Sequence, residues 1–245
     1  MICWICRRDG SWNVDGNRVN FIIRQKDPRG LHFIRKHLGF GRIILAKDGY
    51  YNFTVTNASL SKRLVPIFNG NLVLKKTINR YKAYHEALAM RFTDLPAFNS
   101  NRKLPSLLDG WLSGFTQADG GFSVVIQKRK AATLGYRVRL KYYVDQKNES
   151  EMLQAIRNLF NTGSVVKRSG PPGMKRYEIY SNTAVITVIN YFTAHPVFFD
   201  KHIAFIKWVK IYYIIKKSRL TQTNLDKILK LENNVSPSQN PRLKI

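Results

Sequence analysis

The chain has 245 residues, 44% hydrophobic and 12% aromatic, enough for one large or two small domains with a sizeable core. Its 41 Lys and Arg against 15 Asp and Glu give a formal charge of +26, an excess that repels itself unless a polyanion neutralises it. Nucleic acid is the leading partner. An anionic membrane finds little support, because the chain has no isolated basic amphipathic helix and no uncharged apolar run of about 18 residues.

The chain opens on an apolar segment, Met1 to Cys6, too short for the hydrophobic region of a secretory signal. Cys3 and Cys6 form a lone C-x-x-C with no second pair, read as two small residues near a chain end and not as a zinc or redox site. Asp9-Gly10 comes next. The run 18–23 alternates, with Arg18 and Asn20 on one face and Val19, Phe21 and Ile23 on the other. Leu31 to Ile43, containing Gly41, leads to a further strand-like run at Tyr51 to Asn57. After Val65-Pro66-Ile67-Phe68 comes a basic-aromatic helix. Residues 91–106, with Pro96, Asn99, Asn101 and Pro105, have linker composition.

Leu108 to Phe122 is the segment around which the chain is organised. Gly110 and Gly114 fall on one helix face, a stripe without side chains that another backbone can approach closely. Asp119 falls in the last helical turn, where Gly120 is expected to stop the helix. A carboxylate there meets exposed carbonyls and the negative end of the helix dipole. That placement calls for a nearby cation, and oxygen ligands of this kind suit Mg²⁺ or Ca²⁺.

Beyond it, Arg137, Arg139, Lys141 and Tyr143 alternate with Val138, Leu140, Tyr142 and Val144. One face is apolar. The other is expected to carry basic residues and no acids in both strand sets, which favours a phosphate-facing sheet over a merely solvated one. Met152, Ile156, Leu159 and Phe160 form a helical core stripe, as do Phe205, Trp208, Ile211, Tyr212 and Ile215. The tail 233–245, with Pro237 and Pro241, is expected to order only against a partner such as nucleic acid.

These landmarks recur in the same order twice. Asp9-Gly10-Ser11-Trp12 answers Asp119-Gly120-Gly121-Phe122, and Arg18 to Lys26 answers Arg137 to Lys147. Leu31 to Ile43 answers Leu153 to Val165, with Gly41 against Gly163. Tyr51 to Asn57 answers Tyr177 to Asn182, and Val65 to Phe68 answers His195 to Phe198.

Residues 112–120, Leu-Ser-Gly-Phe-Thr-Gln-Ala-Asp-Gly, resemble the signature of the LAGLIDADG homing endonucleases, and the repeat extends the resemblance over nearly the whole chain. It implies an α+β fold of two pseudo-symmetric αββαββα units, whose paired motif helices and two sheets form a saddle over nucleic acid. The units would be 1–92 and 107–232, with a linker at 93–106 and a basic tail at 233–245.

By the same resemblance Asp119 and Asp9 are catalytic acids that hold Mg²⁺ with the help of Gly120, and metals of this kind activate water for phosphodiester hydrolysis. Gln146 and Gln25, each followed by Lys, stand near the metal-bound water. Both fall on the apolar phase of their strands and are expected past the strand end or on a bulge. Lys201, five residues after Pro196, faces the active-site solvent, with Lys75 or Lys76 as its counterpart in the first copy. Arg137, Arg139, Lys141, Lys128, Arg129, Lys167, Arg168, Lys175, Arg18 and Arg24 are the implied nucleic-acid contacts.

The first copy departs from the pattern. Trp4 stands where Gly114 does, Arg7 where Gln117 does and Arg8 where Ala118 does. A ring in place of a packing glycine costs on the order of 1–3 kcal/mol. The first helix is expected to have about two turns at most. Arg7 and Arg8 would stabilise the charged Asp9 without metal. This erosion predicts reduced or lost double-strand cleavage.

Two functions stand at this point. One is a Mg²⁺-dependent, site-specific DNA endonuclease. The other is a domesticated, non-catalytic RNA-binding protein without a cofactor, an intron maturase or a component of an organellar ribosome or other ribonucleoprotein, whose proteins would then be partners. Under either the chain is expected to be a monomer outside any complex. The resemblance implies a mitochondrial location.

Overall fold

The computed structural model describes residues 10–132, 134–217, 219–232 and 235. The chain divides into two units, Met1–Pro105 and Ser106–Ile245. In the first, β1 (Gly10–Asp15) and β2 (Arg18–Gln25) form a hairpin, followed by α1 (Arg29–Leu38). A second hairpin, β3 (Arg42–Leu45) and β4 (Tyr51–Val55), leads to α2 (Ala58–Lys62), α3 (Val65–Phe68) and α4 (Lys75–Ala89). The sheet order is β1-β2-β4-β3.

The second unit repeats this plan. Helix α5 (Trp111–Asp119) precedes the hairpin β5 (Gly120–Lys128) and β6 (Tyr136–Lys147), followed by α6 (Ser150–Phe160). The hairpin β7 (Ser164–Lys167) and β8 (Met174–Ile179) leads to α7 (Asn182–Ala194), α8 (Phe199–Lys217) and α9 (Gln222–Glu232). The sheet order is β5-β6-β8-β7, that of the first unit again. The architecture is α+β with two pseudo-symmetric units, and each second hairpin is followed by several helices instead of one.

Period-two alternation produces the strands and separates their faces. On β2, Val19, Phe21 and Ile23 are buried, and with Trp12, Phe53, Phe68 and Tyr81 they centre the first core. On β6 the buried apolar residues are Val138, Leu140, Tyr142 and Val144. Helix α1 buries Leu31, Ile34 and Leu38 and ends at Gly39, left-handed at φ 75°. Helix α6 buries Met152, Leu153, Ile156 and Phe160, so Leu153 takes the core place expected of Leu159.

Residues 91–103 lie against the first core. Phe92, Leu95 and Phe98 pack on it, and the Asn69 side chain brackets the segment by donating to the Ala97 carbonyl (2.9 Å) and accepting from the Asn99 amide (2.8 Å).

Gly41 and Gly163 each precede the second hairpin of their unit, at φ 95° and 86°. A Cβ on Gly41 would lie 2.3 Å from the Phe53 ring, and one on Gly163 2.6 Å from the Glu178 carbonyl and 2.8 Å from the Tyr177 ring. The glycine is demanded twice at the same place, by backbone conformation and by a buried aromatic above it.

Candidate active site and nucleic-acid interface

Helix α5 is buried nearly all round, with Trp111 to Thr116 enclosed without a break. Trp111 and Phe115 stack at 4.8 Å between centroids. Asp109 receives the Trp111 amide at 2.9 Å, placing a negative charge at the positive end of the helix. Three polar side chains of the helix are bonded to the surrounding elements. Ser113 donates to the His195 carbonyl, Thr116 shares a hydroxyl bond with Tyr142 (2.8 Å), and Gln117 accepts from the Phe198 amide (2.9 Å). These bonds fix the rotation of the helix about its axis, and thereby the direction of Asp119.

At its C-terminal end three predicted groups converge. Asp119 Oδ2 accepts from Gln146 Nε2 at 2.6 Å. Lys201 Nζ donates to the carbonyls of Thr116 (2.7 Å) and Gly120 (2.5 Å). The ammonium thus meets the negative end of the helix dipole, supplying one cation the position calls for. Lys201 is aimed there from the start of α8, where Phe199 holds a left-handed φ of 51°. A bulky residue there costs about 1–2 kcal/mol, and the Phe198–Gln117 bond anchors the turn.

One expectation needs correcting. Gln146 and Gln25 are neither past the strand end nor on a bulge. They sit inside β6 and β2, in unbroken register opposite Lys175 and Tyr51. Gln146 stays on the apolar phase because that face, at its far end, meets the end of α5, and its amide is buried in a bond to a carboxylate. Gly120 caps the helix, as expected, its amide donating to the Thr116 carbonyl. It is extended (φ −120°, ψ −173°) and starts β5 directly. Its lack of a side chain answers a close approach, since a Cβ there would lie 2.7 Å from the Tyr143 carbonyl.

Asp9, Cys3, Cys6, Trp4, Arg7 and Arg8 lie outside the described residues, as does the tail 236–245. Lys75 and Lys76 are exposed in the first turn of α4.

The Asp119 carboxylate is a hard oxygen donor at a half-buried position, with an amide donor bonded to one of its oxygens. That chemistry fits a hard divalent cation. The Gly120 carbonyl points at Lys201. Among the described residues no group of three or more His, Cys, Asp and Glu forms a metal cluster, and no helix is long and apolar enough to cross a membrane.

The predicted nucleic-acid contacts divide between two faces. Arg137, Arg139 and Lys141 share the polar face of the second sheet. Lys175 falls on the opposite phase, paired with Gln146, and donates to the Ser150 hydroxyl (2.9 Å); Lys167 shares its phase. Lys128 ends β5 and Arg129 enters the hairpin loop, both exposed. Lys141 is buried, its ammonium over the rings of Tyr143 (5.5 Å) and Tyr180 (5.4 Å). Burial, and then the neighbouring Arg176, lowers its pKa from the usual lysine value.

In the first unit Arg18 and Arg24 are exposed on the polar face of β2, where Arg24 pairs with Asp48 and lies 4.8 Å over Tyr50.

The polar faces also carry acids, against expectation. Asp145 and Glu178 lie on the second, and Asp15 stands opposite Arg18 on the first. Sequence reasoning missed Asp145 and Arg176, which bond each other. The signal for Asp145 was a carboxylate falling in step with a run of cations on alternate residues.

The LAGLIDADG endonuclease family matches residues 112–212. A probable intron-encoded endonuclease 4 of Neurospora crassa is 30% identical over 94% of this chain and 43% of its own length. A 37.2 kDa protein of cox1 intron 2 in Schizosaccharomyces pombe is 29% identical over 81% of this chain and 61% of its own. The chain thus spans less than two thirds of either relative. Among solved structures, meganuclease I-SmaMI bound to uncleavable DNA matches with a TM-score of 0.80 over 97% of this chain and 98% of its own, at 16% identity. The LAGLIDADG meganuclease I-AabMI bound to uncleaved DNA matches with a TM-score of 0.77 at 18% identity, over 97% and 98%.

Proposed function

The chain belongs to the LAGLIDADG endonuclease family, and from that premise we propose that it is a site-specific DNA endonuclease dependent on a divalent cation. The observation that carries the reading is the convergence of Asp119, Gln146 and Lys201 at the end of α5. Asp119 would hold the cation, with Asp9 of the first copy as its partner ligand and Mg²⁺ as the physiological ion. When bound, the ion lowers the pKa of water and stabilises charge on the phosphate oxygens. A solved neighbour, I-SmaMI bound to an uncleaved DNA target, was obtained in the presence of calcium ions.

The chain's own groups have distinct parts. Gln146 holds the Asp119 carboxylate by one oxygen and limits its rotation. Lys201 keeps a positive charge beside the reacting phosphate while fixing the backbone at Gly120. Arg18, Arg137, Arg139, Lys128 and Arg129 contact phosphates and orient the duplex. Gln25 fills the place in β2 that Gln146 fills in β6.

The RNA-binding reading draws on the erosion of the first motif, which lies outside the described residues, whereas the first relative carries the name of an endonuclease. The relatives' intron origin, one of them in cox1, supports a mitochondrial location.

The test is cleavage of supercoiled plasmids bearing a randomised target library, with Mg²⁺. Wild type should linearise or nick a defined site, and Asp119→Asn should leave it intact. A wild type that cuts no member of the library, yet co-purifies with a structured RNA, overturns the endonuclease reading.

A further inference from the structure

The polar face of the second sheet holds one carboxylate shared by two guanidinium groups. Asp145 Oδ1 accepts from Arg176 Nε (2.7 Å), and Oδ2 accepts from Arg176 Nη2 (2.8 Å) and from Arg168 Nη1 (2.5 Å). Strand register sets Asp145 directly opposite Arg176. The guanidinium of Arg176 lies over the Tyr143 ring, 4.2 Å from its centroid. That ring lies across Gly121 of the neighbouring strand, where a Cβ would come 3.0 Å from the hydroxyl. Ring and carboxylate together hold the arginine from two sides, and the Gly121 backbone makes room for the ring.

This is an expensive way to hold a cation. The Asp145 and Arg176 side chains are only 11% and 10% exposed, and taking both charges out of water carries a desolvation penalty that their attraction offsets only with good geometry. A phosphate contact needs none of this, since exposed residues such as Arg137 and Lys128 supply positive charge without desolvation. What a fixed guanidinium adds is direction. Asp145 takes the Nε–Nη2 edge of Arg176 and a single nitrogen of Arg168, which leaves the Nη1 end of Arg176 turned away from the carboxylate and part of Arg168 presented to solvent, at 38% exposure. Parallel N–H donors at fixed spacing match the two acceptors, O6 and N7, that guanine alone presents side by side in the major groove.

We infer that Asp145 is a positioning residue that holds Arg168 and Arg176 as a guanine-reading fork, so that this triad specifies one G·C pair of the sequence the second sheet binds. The inference rests on the DNA-endonuclease reading and deepens it. Asp145→Asn would leave two guanidinium groups with a neutral partner, free to turn towards any phosphate.

The test selects the preferred duplex from a randomised double-stranded DNA library. Wild type, Asp145→Asn and Arg168→Gln are then measured against every single-base-pair change in the selected site. Wild type should favour one G·C pair by roughly ten- to a hundred-fold over its alternatives. Both variants should flatten the preference at that pair and keep it elsewhere. Arg168→Gln, at a side chain well exposed to water, carries the test should Asp145→Asn unfold. Uniform weakening at all positions, or no change at any G·C pair, overturns the inference and leaves the endonuclease reading standing. A wild type that selects no duplex sequence overturns both.

Discussion

Gly163→Ala should destabilise the second unit by two separable effects. Its φ of 86° lies where an L-residue pays about 1–2 kcal/mol. The new Cβ would also lie 2.6 Å from the Glu178 carbonyl and 2.8 Å from the fully buried Tyr177 ring, an overpacking that costs about 1–3 kcal/mol. Neither obstacle can swing aside, because one is sheet backbone and the other is a ring whose hydroxyl is bonded to the Thr162 carbonyl at 3.0 Å. A loss of about 3 kcal/mol lowers the melting temperature by roughly 6–12 °C in a unit of this size. Gly135→Ala is the control: its φ is 68°, and a Cβ there meets nothing within 4 Å, so it carries the backbone cost alone. Calorimetry of the two variants beside wild type isolates the packing cost as their difference. A Gly163→Ala protein that melts no lower than Gly135→Ala would refute the reasoning.

Lys201→Met should remove the charged donor from the Thr116 and Gly120 carbonyls, lowering stability by about 2 kcal/mol and the plasmid nicking rate by roughly a hundred-fold or more; a melting shift with an unchanged rate would assign the lysine a structural part only. Gln146→Glu places a second carboxylate against Asp119, so one of the two must hold a proton. Its melting temperature should rise relative to wild type as the pH is lowered through about 6, measured by circular dichroism at matched ionic strength. Tyr191 donates to the Asp109 carbonyl (2.8 Å) and accepts from the Ser113 amide (3.2 Å), and burial pushes its phenol up from 10.0 to about 12. The unfolded chain loses this proton first, so the stability it contributes is whole below pH 10 and is lost as the pH rises towards about 12. Tyr191→Phe should therefore be less stable than wild type at neutral pH and lose less stability across that window.

Much of the architecture was legible because both repeats obey local rules. Strand alternation separated Val138, Leu140, Tyr142 and Val144 from the cations between them, and those four are the buried apolar residues of the strand, although Lys141 is buried as well. The matched glycines Gly41 and Gly163 share one conformation under one kind of buried ring. What misled was the assumption that a polar residue on an apolar phase must leave the strand. Gln146 stays, because its partner is a carboxylate arriving from a helix 27 residues earlier. The bond between Asp145 and Arg176 was not legible at all. It spans 31 residues and depends on the β6–β8 register, which no nearby spacing encodes. Lys201 came from the resemblance; its bonds to two carbonyls explain physically why an ammonium belongs there.

The internal pairing of sheet-face arginines bears on how the protein would respond to ionic strength. An arginine whose charge is already met by Asp145 or Asp48 neutralises little of a phosphate's charge, so seating it on a polyanion releases few of the counterions condensed there. The steepness with which affinity falls as salt is added would therefore reflect the unpaired cations, such as Arg137 and Lys128, and not the full complement of basic residues. A chain carrying +26 would then keep more of its grip at high salt than its charge alone implies. The surviving grip would reside in contacts that distinguish one base pair from another.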